Sequence, residues 1–225
     1  MELILDASSL STRAGLACGG VLRWSSPSLS PREHTSQLLP AIVAGLSETS
    51  ATFRDLELIV VALGPGPFNG LRVAVSTAKG FAAGTGAAVT GISTLEAEAF
   101  RCTEEIGAVR PILAVGRSGF ATALFMWQLS GWTQVEDTCL MAESTLEAAV
   151  DEGVALCGET DALGASLPVD SRKALHLATV RGTRLQALAT LGWKRYQSHD
   201  VAAATSLQPL YVRPPHITIP RDRRP

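Results

Sequence analysis

The spacing of apolar and polar positions marks out most elements of this chain before any chemistry is considered. Glu2–Asp6 reads as a short first strand, and Arg13–Cys18 with residues 21–24 reads as a hairpin around Gly19-Gly20. Residues 25–32, rich in serine and proline, read as a loop. From His34 to Leu46 the apolar positions are Leu38, Leu39, Ile42, Val43 and Leu46, the spacing of an amphipathic helix, with Pro40 expected in its first turn. Residues 56–63 form an unbroken apolar run rich in Ile and Val, as in a strand buried on both faces. A second helix is expected over 70–83 and another short buried strand over 87–92.

The first hundred residues therefore run β-β-β-α-β-α-β, a mixed sheet covered by helices. Around 104–110 the pattern restarts: 111–115 is strand-like, 120–129 alternates across a Ser118-Gly119 turn, and 154–157 is another short strand. Val115 follows Ile112-Leu113 as Asp6 follows Leu3-Ile4-Leu5. That is either a weak internal duplication or two unrelated strand-turn-strand units. A helix over 171–191 is expected to carry Leu175, Ala178, Leu185, Leu188 and Leu191. The end, from Arg213-Pro-Pro-His to Pro225, is rich in Pro and Arg and reads as a fraying tail.

Composition narrows the class. With 225 residues, 46% hydrophobic and 18% charged, the chain can bury a core as one large domain or two small ones. A net charge of −2 gives no global field toward nucleic acid or anionic membrane. Cys18, Cys102, Cys139 and Cys157 form no CxxC and have no His at finger spacing, which argues against a zinc site or a disulfide framework. The N-terminus lacks a basic region and meets Asp6 too early for a signal peptide, and no stretch approaches the roughly 18–20 apolar residues of a spanning helix. A soluble protein of a reducing cytoplasm is expected.

Candidate chemistry centres on Gly64-Pro-Gly-Pro-Phe-Asn-Gly70, between a buried strand and a helix. Such a turn aims backbone N–H groups along the positive end of the helix dipole, so Gly64, Gly66 and Gly70 are candidates for an anion or nucleotide cradle. A rigid turn with no ligand is the equal alternative. It is not a P-loop, because Leu71-Arg72 follows Gly70, nor a dinucleotide site, because Thr90-Gly91 stands where an acid is needed. Asp6, at the end of the first strand, could serve a metal–phosphate or act as a base, but capping the Ser8-Ser9 turn is the favoured role. His34 has Leu38 where a second ligand would stand; no HExxH or GxSxG is present, so no catalytic or metal residue is assigned. The 70–83 helix is apolar around most of its circumference, with only Arg72, Ser76 and Lys79 forming a polar stripe. It must be buried on more than one side, and a partner surface is expected at Leu38, Ile42, Leu71, Val75, Ala78 and Lys79.

Several segments together resemble one family. Leu5-Asp6-Ala-Ser-Ser, Arg32-Glu-His-Thr-Ser-Gln-Leu-Leu-Pro40, Gly64-Pro-Gly-Pro-Phe-Asn-Gly-Leu-Arg-Val73, Ala78-Lys-Gly80, Gly91-Ile-Ser-Thr-Leu-Glu96 and Gln208-Pro-Leu-Tyr-Val-Arg213 are similar to the bacterial TsaB (YeaZ) family of tRNA threonylcarbamoyladenosine synthesis. The chain departs from the family at Val115-Gly-Arg117, which keeps only the arginine of an Asp-Ala-Arg run, and at Pro67 and Asn69, where Ser and Thr are usual. The resemblance implies an α/β, two-lobed actin/hexokinase/Hsp70-like (ASKHA) fold, each lobe a mixed sheet with flanking helices, here 1–103 and 104–225. It implies a non-catalytic scaffold that pairs with a TsaD-like metalloenzyme through the first-lobe helices, that enzyme transferring threonylcarbamoyl to the adenosine beside the tRNA anticodon. A TsaE-like ATPase docks across such a pair, tRNA is met only through the complex, and without the partner the chain is either a monomer or a homodimer. No cofactor is required, with at most weak ATP or ADP binding at the complex interface. The alternative is an independent nucleotide-dependent enzyme of the same superfold, such as a small-molecule kinase, which should keep an acid where Val115 stands.

Overall fold

The computed structural model describes residues 1–29, 34–115, 119–129, 131–142, 145–146, 154–164, 177–201 and 203–212. Strands β1 (Glu2–Asp6), β2 (Arg13–Cys18), β3 (Val21–Ser25), β4 (Leu58–Gly64) and β5 (Ala88–Ser93) form one sheet in the order β3-β2-β1-β4-β5. β1 is antiparallel to β2 and parallel to β4, which is parallel to β5. β1 and β4 lie inside the sheet with helices on both faces, which is why their apolar runs are unbroken. Glu2, buried in β1, accepts the N–H groups of Gly19 and Gly20 at 2.9 and 3.1 Å and so fastens the β2–β3 turn.

Helices α1 (His34–Glu48) and α2 (Phe68–Thr85) cover one face, where Leu38, Ile42, Ala74, Val75 and Ala78 join a core with Leu3, Leu5, Ile59 and Val61. The opposite face carries α3 (Thr94–Phe100) and, from the far end of the chain, α4 (Arg184–Gln197). Leu185 and Leu188 of α4 pack with Ile4, Leu58, Val60 and Ile92. At Gly192 a Cβ would stand 2.3 Å from Val60 Cγ2, so glycine sets how closely α4 approaches the sheet.

A second sheet contains β6 (Ala108–Ala114), β7 (Phe120–Thr122), β8 (Phe125–Gln128), β9 (Gly131–Gln134) and β10 (Cys139–Met141) in the order β10-β7-β6-β8-β9, with β11 (Ala155–Gly158) parallel to β6. β6 is antiparallel to β7 and parallel to β11, just as β1 is antiparallel to β2 and parallel to β4. Topology thus favours the internal duplication over two unrelated units. Leu95 and Ala99 of α3 pack with Val109, Leu113 and Phe125, so α3 lies between the two sheets.

Three expectations need correction. Pro40 lies in the second turn of α1, not the first, on the exposed side of the helix. The helix expected over 171–191 runs instead over Arg184–Gln197; residues 171–176 lie outside the described residues, and 177–183 are not helical. Gly182 at φ +61 and Thr183, whose hydroxyl accepts the Gln186 N–H at 3.2 Å, make the N-terminal stop that the pattern reading overlooked. A division at 103/104 separates the sheets, but α4 and residues 203–212 return to the first one. Leu207 enters its core, Leu210 N–H donates to Leu63 O at 2.8 Å, and Tyr211 rests on Phe68 with ring centroids 4.9 Å apart. The tail from Arg213, and Arg117, lie outside the described residues.

All the cysteines are free. The Cys102 and Cys157 thiols adjoin in the inter-sheet core; their hydrogen bond, then burial, push the Cys157 thiol well above its ordinary pKa. Alkylation with iodoacetamide near pH 8 should therefore modify exposed Cys18 quickly and leave Cys102 and Cys157 untouched until denaturant is added. Labelling of Cys157 in the native protein at the rate of Cys18, read by mass spectrometry, would contradict this packing. No helix among the described residues is long and apolar enough to cross a membrane.

Candidate functional site

In α/β sheets the place for chemistry is beyond the carboxyl ends of the parallel strands. In the first sheet β1 delivers Asp6 there, and β4 delivers Gly64 and the loop into α2. Asp6 Oδ1 accepts the Ser8 N–H at 3.0 Å and the Ser8 hydroxyl at 2.5 Å, the turn-capping role favoured by the sequence. The glycines of the loop are explained by close packing. A Cβ on Gly66 would stand 2.4 Å from Ser8 O, one on Gly70 2.6 Å from Ala7 O, and one on Gly64 2.6 Å from a Leu71 methyl. At Gly66 and Gly70 backbone pressed on backbone leaves no room for a side chain, which accounts for glycine there under either reading of the loop.

A cleft of about 260 Å³ opens beside Asp6 and is lined by residues from both lobes. At its centre the Arg184 guanidinium, projecting from the first turn of α4, faces three carboxylates from three separate elements. Its Nε donates to Glu98 Oε1 of α3 at 2.5 Å; its Nη1 lies 3.6 Å from Asp6 Oδ2; its Nη2 lies 3.8 Å from Glu159 Oε1, just after β11. Nη1 also reaches the Ser8 hydroxyl at 3.3 Å. Glu98, 1% exposed, is shared with Arg101, whose Nη1 meets Glu98 Oε2 at 2.5 Å. Burial alone would lower the Arg184 pKa, but the charges of Asp6, Glu98 and Glu159 outweigh it and hold that pKa above its ordinary value. For Glu159, burial wins and raises the carboxyl pKa, against the pull of the Ala114 N–H and Arg184. The three acids thus share one internal cation, Glu98 through a hydrogen bond and Asp6 and Glu159 through longer ion pairs, and among the described residues no group of three or more His, Cys, Asp and Glu is placed to hold a metal ion.

The structure also turns the expected partner surface over. Leu38, Ile42, Leu71, Val75 and Ala78 are all at most 4% exposed, in contact with the chain's own first sheet. The apolar stripe of a helix that covers a sheet is taken by that sheet first. Lys79 is half-buried and reaches Thr205 O with its Nζ at 3.4 Å. What α1 and α2 leave to solvent is another set: Leu39 and Val43, 53% and 47% exposed, with Pro40 and Ala44 on α1, and Arg72, Ser76, Gly80 and Ala83 along α2. That surface is low and partly apolar, of a kind that admits close helix packing.

Glu98, Glu159 and Arg184 carried no signal of their own. They come from three distant segments, and only the meeting of α3, β11 and α4 brings them together.

A family model described as TsaD: tRNA N6-adenosine threonylcarbamoyltransferase matches residues 7–205. The tRNA threonylcarbamoyladenosine biosynthesis protein TsaB of Escherichia coli K12 is 33% identical over 87 residues, 39% of this chain and 38% of that protein. The tRNA N6-adenosine threonylcarbamoyltransferase of Chlamydia muridarum is 36% identical over 112 residues, 49% of this chain and 32% of that protein. In these matches the chain spans less than half the length of the curated relatives. Among solved structures, YeaZ from Pseudomonas aeruginosa shares the fold, with a TM-score of 0.70 at 21% identity, covering 93% of this chain and 98% of that one. The two-lobed α/β architecture expected from the sequence is therefore the architecture found.

Proposed function

The chain belongs to the TsaD family of tRNA N6-adenosine threonylcarbamoyltransferases, and on that premise we propose that it serves tRNA threonylcarbamoyladenosine synthesis as a non-catalytic, TsaB-like subunit. In this reading it binds and activates a TsaD-like metalloenzyme, which performs the transfer to the adenosine beside the anticodon. A TsaE-like ATPase joins the pair, and tRNA is engaged through the complex. The docking face is the outward side of α1 and α2, from Leu39 and Val43 to Ser76, Gly80 and Ala83.

One observation carries the non-catalytic half: the carboxylates that converge beside the end of β1, Asp6, Glu98 and Glu159, already face Arg184. A general base needs a free carboxylate, and a metal–phosphate site needs one turned to the ligand; here the charge is met from within the chain. The same observation disfavours the kinase alternative. The chain needs no cofactor of its own in this reading and meets ATP or ADP only weakly, at the interface of the complex.

Calorimetric titration of the purified chain with the TsaD-like enzyme of the same cell tests the reading. Saturable binding supports it. A chain that binds no such enzyme, yet hydrolyses ATP or phosphorylates a small molecule in a manner abolished by Asp6→Ala, would replace it with the kinase.

A further inference from the structure

The backbone crosses between the two lobes at residues 101–107 and returns at 177–183, and these crossings lie against each other. Cys102 bridges Val180, the Arg181 N–H donates to Arg101 O at 2.7 Å, and Arg101 Nη2 donates to Gly182 O at 3.1 Å. Two adjacent crossings, one containing an exposed glycine at φ +61, form the covalent junction about which the lobes would turn. Arg184 is only two residues beyond that glycine. It reaches Asp6 and Glu98 on the first-lobe side and Glu159, which follows the second-lobe strand β11, on the other. Glu159 is in turn tied into the second sheet, its Oε2 accepting the Ala114 N–H at 3.0 Å at the end of β6.

We propose that Arg184 is a latch: its guanidinium bridges carboxylates of both lobes and holds the cleft closed about the 101–102/180–182 hinge without any bound ligand. The arrangement suits a guanidinium, which donates from one plane in several directions, and suits lysine poorly, whose single ammonium cannot span three acids. Arg101 belongs to the hinge side of the same network, since it shares Glu98 and grips Gly182 O, so the latch and hinge move as one unit. The latch belongs to the chain alone and depends on neither the proposed partner nor the proposed reaction.

The test is a distance measurement between the lobes. Spin labels are placed on cysteines introduced at the exposed positions Ser76 and Thr133, with Cys18 and Cys139 replaced by serine. With Arg184 in place, a single narrow distance distribution is expected. Arg184→Ala should add a longer-distance population, and millimolar methylguanidinium, but not tetramethylammonium, should suppress it. Arg184→Lys should resemble Arg184→Ala more than the original. If Arg184→Ala fails to fold by circular dichroism, Glu159→Gln removes only the second-lobe charge and should broaden the distribution with secondary structure intact. A folded Arg184→Ala protein, or failing that Glu159→Gln, with the original narrow distribution would overturn the latch.

Discussion

Gly80→Arg is expected to leave the monomer folded and to weaken its pairing with a TsaD-like enzyme at least about a hundredfold, whereas Ala78→Arg, two residues earlier, is expected to destabilise the fold itself. Ala78 is fully buried against the first sheet. An arginine there must displace core side chains and place an unpaired charge among them, at a cost of about 3–5 kcal/mol or more, out of a total stability on the order of 5–15 kcal/mol. Gly80 faces the other way: a Cβ there meets nothing within 4 Å. Removing a mid-helix glycine should raise monomer stability by about 0.5–1 kcal/mol. The same arginine placed in a closely packed interface costs about 3–5 kcal/mol, a loss of roughly a hundredfold to several-thousandfold in affinity. Thermal melting of the two variants, followed by calorimetry on whichever folds, reads both effects. A folded Gly80→Arg protein of unchanged affinity would remove the α1–α2 face from consideration.

Glu98→Ala is the second large effect. Glu98 is almost completely buried and is the carboxylate that Arg101 and Arg184 share. Its removal leaves two guanidinium groups facing each other without their common counter-charge, at a cost of about 3–5 kcal/mol. For a chain of this size that lowers the melting temperature by roughly 6–20 °C. Glu98→Gln keeps the shape and one acceptor oxygen and should fall between. A melting temperature for Glu98→Ala within error of the original would mean that the network contributes little to stability.

Both effects show where the amino-acid pattern is readable. The continuous apolar runs of β1 and β4, the period of α1 and α2 and the capping turn after Asp6 are local, and local spacing specifies them. The direction of a helix face is different. In α2, Ala78 and Gly80 are both small and two residues apart, and the pattern alone does not say which faces the sheet; Leu71 and Val75 look equally suited to a partner and to the chain's own core. The glycines at 66 and 70 pose the same difficulty, because a phosphate cradle and a tight backbone contact with Ala7-Ser8 require the same residue type. Least legible is the Arg184 cluster. Its members lie at positions 6, 98, 159 and 184, and nothing in their flanks foretells that two crossings will bring them within a few ångströms. The lack of an acid at Val115 is legible in the sequence, but not that Glu159, just after β11, accepts the neighbouring Ala114 N–H.

Reconstituted threonylcarbamoyl transfer to tRNA, with each protein omitted in turn, tests the central claim most directly. The account predicts no modified adenosine from this chain alone, none or little from the TsaD-like enzyme alone, and robust modification when both are present with threonylcarbamoyl adenylate and, for repeated turnover, the ATPase. Modification by this chain in the complete absence of the enzyme, or full activity of the enzyme without this chain, would contradict it.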